Sequence, residues 1–268
     1  MEYSFLIIDG DKRQTALYDY LVDKRCTCSF VNIDDLDFND KLKAHSVIIC
    51  PTPFKDYSII KSLLPSQTLV GYGLKPECTT LLKENKINYI DLSQNDYFVW
   101  NNGYLTAEAT LGSIITTIPF SILESKCLIC GYGNCGTHIA ALISKLGGNV
   151  TIYDNDSSTT LKACALNFST ITSLDFRISN FDIIVNTVPH NIFTLDNVLY
   201  INNNCYVFDI SSPPYGFEKM YRDTSSKYNL LPGLPGKNMS KSAGELIGKT
   251  ILNIFNKKEQ SYEIWFSW

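Results

Sequence analysis

The chain reads as an α/β protein of two Rossmann-like, doubly wound parallel-sheet domains linked by long helices. Three observations lead there. Short apolar runs alternate with stretches long enough for a helix, which is the rhythm of βαβ units. That rhythm runs through the first hundred residues and then restarts after a helical stretch. A glycine-rich turn in the second half sits directly between an apolar run and a helical pattern. At 268 residues the chain is long for one such domain and comfortable for two, each able to bury its own core. The expected boundaries are 1–101 for an N-terminal Rossmann or flavodoxin-like domain and 102–268 for a dinucleotide-binding domain whose last helix returns towards the first.

In chain order, FLIID (5–9) is the first strand, followed by a mixed stretch of helical length to about Lys24. SVIIC (46–50) and TLVGYG (68–73) are further strands, a helix follows Pro76, and INYIDL (87–92) ends the half. In NNGYLTAEATLGSIITTIPF, Thr106 is placed as the N-cap of a linking helix. Its Ala109, Ile114, Ile115 and Ile118 fall near one stripe before Pro119 stops it. The second half repeats the pattern with KCLIC (126–130), NVTIYD (149–154), FDIIVNTV (181–188) and CYVFDI (205–210), with room for a helix or crossover between them. AGELIGKTILNIF (243–255) is a second long amphipathic stretch. The tail KKEQSYEIWFSW (257–268) is aromatic, and the first domain and a partner are both open as its docking place.

Composition excludes several classes. Hydrophobic residues at 45% and charged residues at 19% are globular proportions, which argues against disorder. A formal net charge of -4 supplies no electrostatic footprint for nucleic acid. The apolar run in MEYSFLIIDGDKRQ is too short for a signal peptide, and no stretch approaches the roughly 20 apolar residues that span a bilayer. A soluble, cytoplasmic protein without membrane contact is therefore expected. Nine cysteines is an odd number, and Cys50, Cys127, Cys130 and Cys205 sit inside apolar runs, as buried thiols do. Cys127 and Cys130 lie three apart on a strand and point to opposite faces, and Cys26 and Cys28 are too lone a pair, so no metal site is expected.

GYGNCG carries the chemistry. It places Gly131, Gly133 and Gly136 at the spacing of the dinucleotide fingerprint, after the strand KCLIC and before the helical THIAALISKLGG. Gly131 permits the tight turn, Gly133 lets a pyrophosphate approach the backbone, and Gly136 lets helix and strand pack closely. Asn134 and Cys135 complete the turn, whose N–H groups face the phosphates. Asp154 ends the next strand about twenty residues on, where a carboxylate accepts hydrogen bonds from the adenosine ribose and repels a 2′-phosphate. The cofactor expected is thus NAD or NADP, with Asp154 favouring NAD. FDIIVNTVPH delivers Thr187, Val188 and Pro189 to the same sheet edge, and CYVFDISSPPYG brings Ser211.

Two further groups complete the candidates. LLPGLPGKNMSKSAGELIG gathers Lys237, Ser240, Lys241 and Ser242 before a helix N-terminus, a concentration of donors suited to a carboxylate, and Thr106 joins them as a candidate substrate ligand. Of the three histidines only His190 borders the predicted edge; His138 reads as a packing residue and His45 precedes a first-domain strand. His190 and Glu108 are the catalytic candidates.

With GDKRQ, LTAEATLGSII, GYGNCG, NTVPH, FDISSPPYG and above all LLPGLPGKNMSKSAGELIG in order, the chain resembles the A subunits of dipicolinate synthase over nearly its full length. The resemblance implies NAD(P)-dependent oxidation of dihydrodipicolinate, or a hydrated precursor, to the aromatic pyridine-2,6-dicarboxylate during sporulation. It also implies that the partner is a flavoprotein-like B subunit, that the substrate is a small dicarboxylate, and that the location is the mother cell of a spore-forming bacterium; self-association is left open. Family members often carry an arginine within the glycine turn and another after the second strand, whereas this sequence has Asn134 and Asp154. Two alternatives stand beside it. A D-2-hydroxyacid dehydrogenase shares the plan but needs a late histidine, and none follows His190. A non-catalytic NAD-binding subunit is compatible with every motif.

Overall fold

The computed structural model describes residues 3–255, so the aromatic tail at 257–268 lies outside the described residues. The chain forms β1 (Ser4–Ile8), α1 (Lys12–Asp23), β2 (Thr27–Val31), α2 (Phe38–Ala44), β3 (Val47–Ile49), β4 (Thr68–Gly71), α3 (Pro76–Glu84), β5 (Asn88–Asp91) and the long α4 (Asp96–Thr117). It continues with β6 (Lys126–Cys130), α5 (Asn134–Lys145), β7 (Asn149–Tyr153), α6 (Ser157–Ala165), β8 (Ser169–Ile171), β9 (Ile183–Asn186), α7 (Leu195–Val198), β10 (Tyr206–Asp209), α8 (Lys219–Thr224), β11 (Tyr228–Leu230), α9 (Leu234–Asn238) and α10 (Ser240–Phe255). Among the described residues every strand pair is parallel.

The strands form two sheets, in the orders β2-β1-β3-β4-β5 and β11-β10-β9-β6-β7-β8. The first is the flavodoxin-like arrangement and the second the doubly wound dinucleotide-binding one. Order reverses between β1 and β3 in the first sheet and between β6 and β9 in the second. β1, β3, β6 and β9 are central and buried on both faces, which is why they stand out as unbroken apolar runs. Cys127 joins the core on one face of the second sheet and Cys130 the core on the other.

Three strands escape the sequence reading. β2 (TCSFV), β8 (STI) and β11 (YNL) are edge strands, short or only half-buried, so they carry no continuous apolar run. The linking helix also differs. Thr106 is not its N-cap: α4 begins ten residues earlier, where the Asn95 side chain accepts the Phe98 N–H at 2.9 Å. Thr106 lies mid-helix and donates its hydroxyl to the Asn102 carbonyl at 2.8 Å. Ala109, Ile114 and Ile118 are buried as the stripe requires, but Ile115 is 56% exposed, one helical step off that face.

The described residues divide into two compact units, one of 3–101 with 240–255 and one of Asn102–Met239. The expected second domain, 102–268, is therefore too long by α10, which packs on α1 in the first unit. A Cβ on Gly244 would stand 2.5 Å from the Arg13 carbonyl oxygen, and one on Gly248 would strike the Tyr20 ring, so two glycines one turn apart let the helix backbones approach. The start of α1 is fixed locally: the Asp11 carboxylate accepts from Arg13 N–H at 2.9 Å, and the Gln14 side chain accepts from Asp11 N–H at 3.1 Å.

Candidate dinucleotide-binding site

β6 delivers the chain into the glycine turn at the point where the second sheet reverses. Gly131 takes φ +88 and donates its N–H to the Tyr153 carbonyl at 2.8 Å. A side chain there would also collide with the Thr187 hydroxyl, and one on Gly136 would collide with the Gly131 carbonyl oxygen. These two glycines are sterically demanded by the turn itself. Gly133 is different: it N-caps α5 without any side-chain cap, and a Cβ on it would meet nothing within 4 Å. Open space thus faces an uncapped helix N-terminus, whose free N–H groups suit an anionic oxygen. A Cβ at Gly133 would project into that cradle.

The second strand supplies the acid. Asp154 Oδ2 accepts the Tyr132 N–H at 2.8 Å and Oδ1 accepts the Asp156 N–H at 2.9 Å, so the carboxylate is pinned beside the glycine turn with lone pairs remaining for two hydroxyl donors. Asn134 is exposed on the turn and Cys135 is half-buried. Burial pushes the Cys135 thiol up, partly offset by a hydrogen bond with the Thr106 hydroxyl. The same face of α4 approaches closely, since a Cβ on Gly103 would stand 3.0 Å from the Asn134 carbonyl oxygen. Thr106 is thereby brought to the fingerprint, buried, with its hydroxyl already engaged.

From β9, Thr187 locks onto β6: its N–H and its hydroxyl each reach the Cys130 carbonyl at 2.9 Å. Val188 lies over Gly131, while Pro189 and His190 are exposed beyond it. At the end of β10, Asp209 is fully buried and its carboxylate accepts five hydrogen bonds: at Oδ1 from Asn186 Nδ2 (2.9 Å), Ser211 N–H (3.1 Å) and the Ser211 hydroxyl (2.6 Å), and at Oδ2 from Gly216 N–H (2.9 Å) and the Tyr228 hydroxyl (2.9 Å). Ser211 is therefore buried with its hydroxyl aimed at Asp209 rather than at open space. Burial first, then the Asp209 charge and hydrogen bond, push the Tyr228 phenol far above its usual range, so it stays a donor.

The other candidates lie on three further helices and a loop. Glu108 is half-buried on α4. Lys237 is exposed on α9 in the second unit, whereas Ser240, Lys241 and Ser242 form the first turn of α10 in the first unit rather than a loop before it. His138 is buried in α5 and edge-on to Tyr104 at 5.4 Å, and His45 meets the Lys41 carbonyl at 2.8 Å through Nδ1. The network around Asp209 was not foreseen. Its signal was present in two polar residues, Asn186 and Asp209, ending otherwise apolar buried strands, since such groups need partners. Tyr228 had no such signal, because β11 is three residues long.

The open N-terminus at Gly133 and the pinned Asp154 together fit a dinucleotide. Residues 102–216 match the family model of the S-adenosyl-L-homocysteine hydrolase NAD binding domain. The dipicolinate synthase A subunit of Bacillus subtilis (strain 168) is 22% identical over 281 residues, covering 91% of this chain and 93% of that protein. The crystal structure of the dipicolinate synthase A subunit from Bacillus halodurans matches with a TM-score of 0.82 at 20% identity, over 95% of this chain and 98% of that one. The apo-structure of D-lactate dehydrogenase from Escherichia coli matches with a TM-score of 0.65 at 11% identity, over 95% and 96%. At these identities the structural likeness speaks for the fold. The family match speaks for an NAD-binding second unit. Along nearly its whole length the chain is similar to the A subunits of dipicolinate synthase, on two parallel-sheet α/β domains of which the second has the NAD-binding, Rossmann-type fold.

Proposed function

We propose that the chain is the dinucleotide-binding subunit of a dipicolinate-forming oxidoreductase, oxidising dihydrodipicolinate to dipicolinate with NAD in preference to NADP, and working with a flavoprotein-like B subunit. The observation that carries this reading is the open, uncapped α5 N-terminus at Gly133 beside the pinned Asp154, in a chain whose similarity to a dipicolinate synthase A subunit covers 91% of its length. In this reading the N–H groups of Asn134 and Cys135 hold the pyrophosphate, Asp154 holds the adenosine ribose, and Thr187, Val188 and Pro189 border the nicotinamide end. The chemistry a nicotinamide supplies there is acceptance of a hydride. Lys237 and Lys241, with Ser240 and Ser242, bind the substrate carboxylates by charge and hydrogen bonds. A proton leaves the neighbouring ring carbon; His190 and Glu108 are the groups proposed to receive it, and aromatisation lowers the demand on base strength.

The test is an assay of the chain with and without a B subunit, given dihydrodipicolinate and either cofactor, following reduced cofactor. Reduction of NAD in excess of NADP, with dipicolinate formed in equal amount, supports the proposal. Cofactor binding without turnover under any combination would leave a binding subunit instead.

A further inference from the structure

We infer that Asp209 is a positioning residue that sets the shape of the nicotinamide end of the cofactor site through Asn186, Ser211 and Gly216. This rests on the reading of the second unit as a dinucleotide site. Asp209 is 0% exposed, so it touches neither cofactor nor substrate. It acts on the two segments that leave the carboxyl ends of β9 and β10, the edge where dinucleotides lie in such sheets.

The first segment is shaped through Asn186. Its Nδ2 donates to Asp209 and also to the Val188 carbonyl at 3.0 Å, while its Oδ1 accepts the Val188 N–H at 3.2 Å. That amide therefore sets the turn carrying Thr187 and Val188 over Gly131. The second segment, Ser211 to Gly216, is drawn back onto Asp209 by the Ser211 N–H and hydroxyl and by the Gly216 N–H. Contact between the segments is tight: a Cβ on Gly216 would collide with the Asn186 side chain. Tyr228 from the edge strand donates the fifth bond, and its ring packs against Phe217 and Tyr221.

All five groups are donors, so only a carboxylate satisfies them; an asparagine would replace one acceptor oxygen with a donor and leave two or three of them opposed. Asp209 itself makes no hydrogen bond to the glycine turn or to Asp154, and reaches Gly131 only through Asn186 and the Thr187–Val188 turn, so the adenosine half of the site depends on it far less. The device acts on one end of the cofactor.

The experiment titrates NADH and ADP-ribose against the full chain, unaltered and as Asp209→Asn and Tyr228→Phe. The two ligands share the adenosine and pyrophosphate and differ in the nicotinamide. Expected is a loss of NADH affinity of tenfold or more for Asp209→Asn and about threefold for Tyr228→Phe, with ADP-ribose affinity held within about twofold. A merely structural role would weaken both ligands alike. The Tyr228→Phe chain keeps the ring packing and carries the test if Asp209→Asn does not fold. Equal losses for the two ligands, or no loss of NADH affinity, overturn the inference alone. An unaltered chain that binds neither ligand overturns the cofactor reading and the inference with it.

Discussion

Gly133 and Gly136 lie three residues apart in one motif, yet the structure assigns them opposite consequences. A Cβ on Gly136 would overlap the Gly131 carbonyl oxygen, a backbone atom that cannot swing aside, so Gly136→Ala must push α5 off β6. Overpacking of this kind costs up to about 3 kcal/mol. At roughly 2–4 °C per kcal/mol, Tm should fall, by roughly 6–12 °C at that upper limit. Gly133 has an ordinary φ of -81 and open space in front of it. Gly133→Ala should cost no more than about 1 kcal/mol, the worth of a helix cap. Its methyl group stands instead where the pyrophosphate must approach, and a loss of at least about tenfold in NAD affinity, 1.4 kcal/mol, is expected. Thermal unfolding and NADH titration on the two variants read both effects. Undiminished NADH binding by the Gly133→Ala chain would put the pyrophosphate elsewhere and refute the reasoning, as would a Gly136→Ala chain that melts with the parent.

Asp154→Asn removes the charge that opposes a 2′-phosphate while keeping one acceptor, so the ratio of NADP to NAD affinity should rise roughly tenfold, on the order of 1.4 kcal/mol; an unchanged ratio would show that Asp154 does not set the choice. Lys237→Ala and Lys241→Ala should each raise the KM for dihydrodipicolinate several-fold with little change in NAD affinity, and steady-state kinetics with an unmoved KM would remove them from the substrate site. Burial pushes the Cys127 and Cys205 thiols up to about 12, so both should resist alkylation at pH 8 in the folded chain while the exposed Cys164 reacts. The sign for stability follows: these acids keep their protons to higher pH when folded, so their contribution is complete below about 9, the ordinary thiol value, and declines as pH rises towards about 12. Denaturant titrations across that window should show the fall, and stability rising with pH there would contradict it.

Local sequence was enough wherever the constraint was local. Away from the exposed Lys126 and the terminal Asn186, β6 and β9 are buried on both faces, so CLIC and IIV are unbroken apolar runs and declare themselves. The glycine turn is equally legible, because the demand on Gly136 acts against the Gly131 carbonyl oxygen within one βαβ unit. The structure decided the rest. Thr106 carries the residue type of a cap, but α4 extends back past it to Asn95, and only the continuing helix shows that its hydroxyl turns to Asn102. The edge strands β2, β8 and β11 lack a buried face on one side and so lack the apolar signature. Asp209 and Tyr228 are nineteen residues apart and become partners only when β11 is laid beside β10. α10 joins the first unit because Gly244 and Gly248 leave room for α1, a complementarity that exists only once both helices are formed. Patterning of one segment records what that segment must bury, and it is silent on which distant segment meets it.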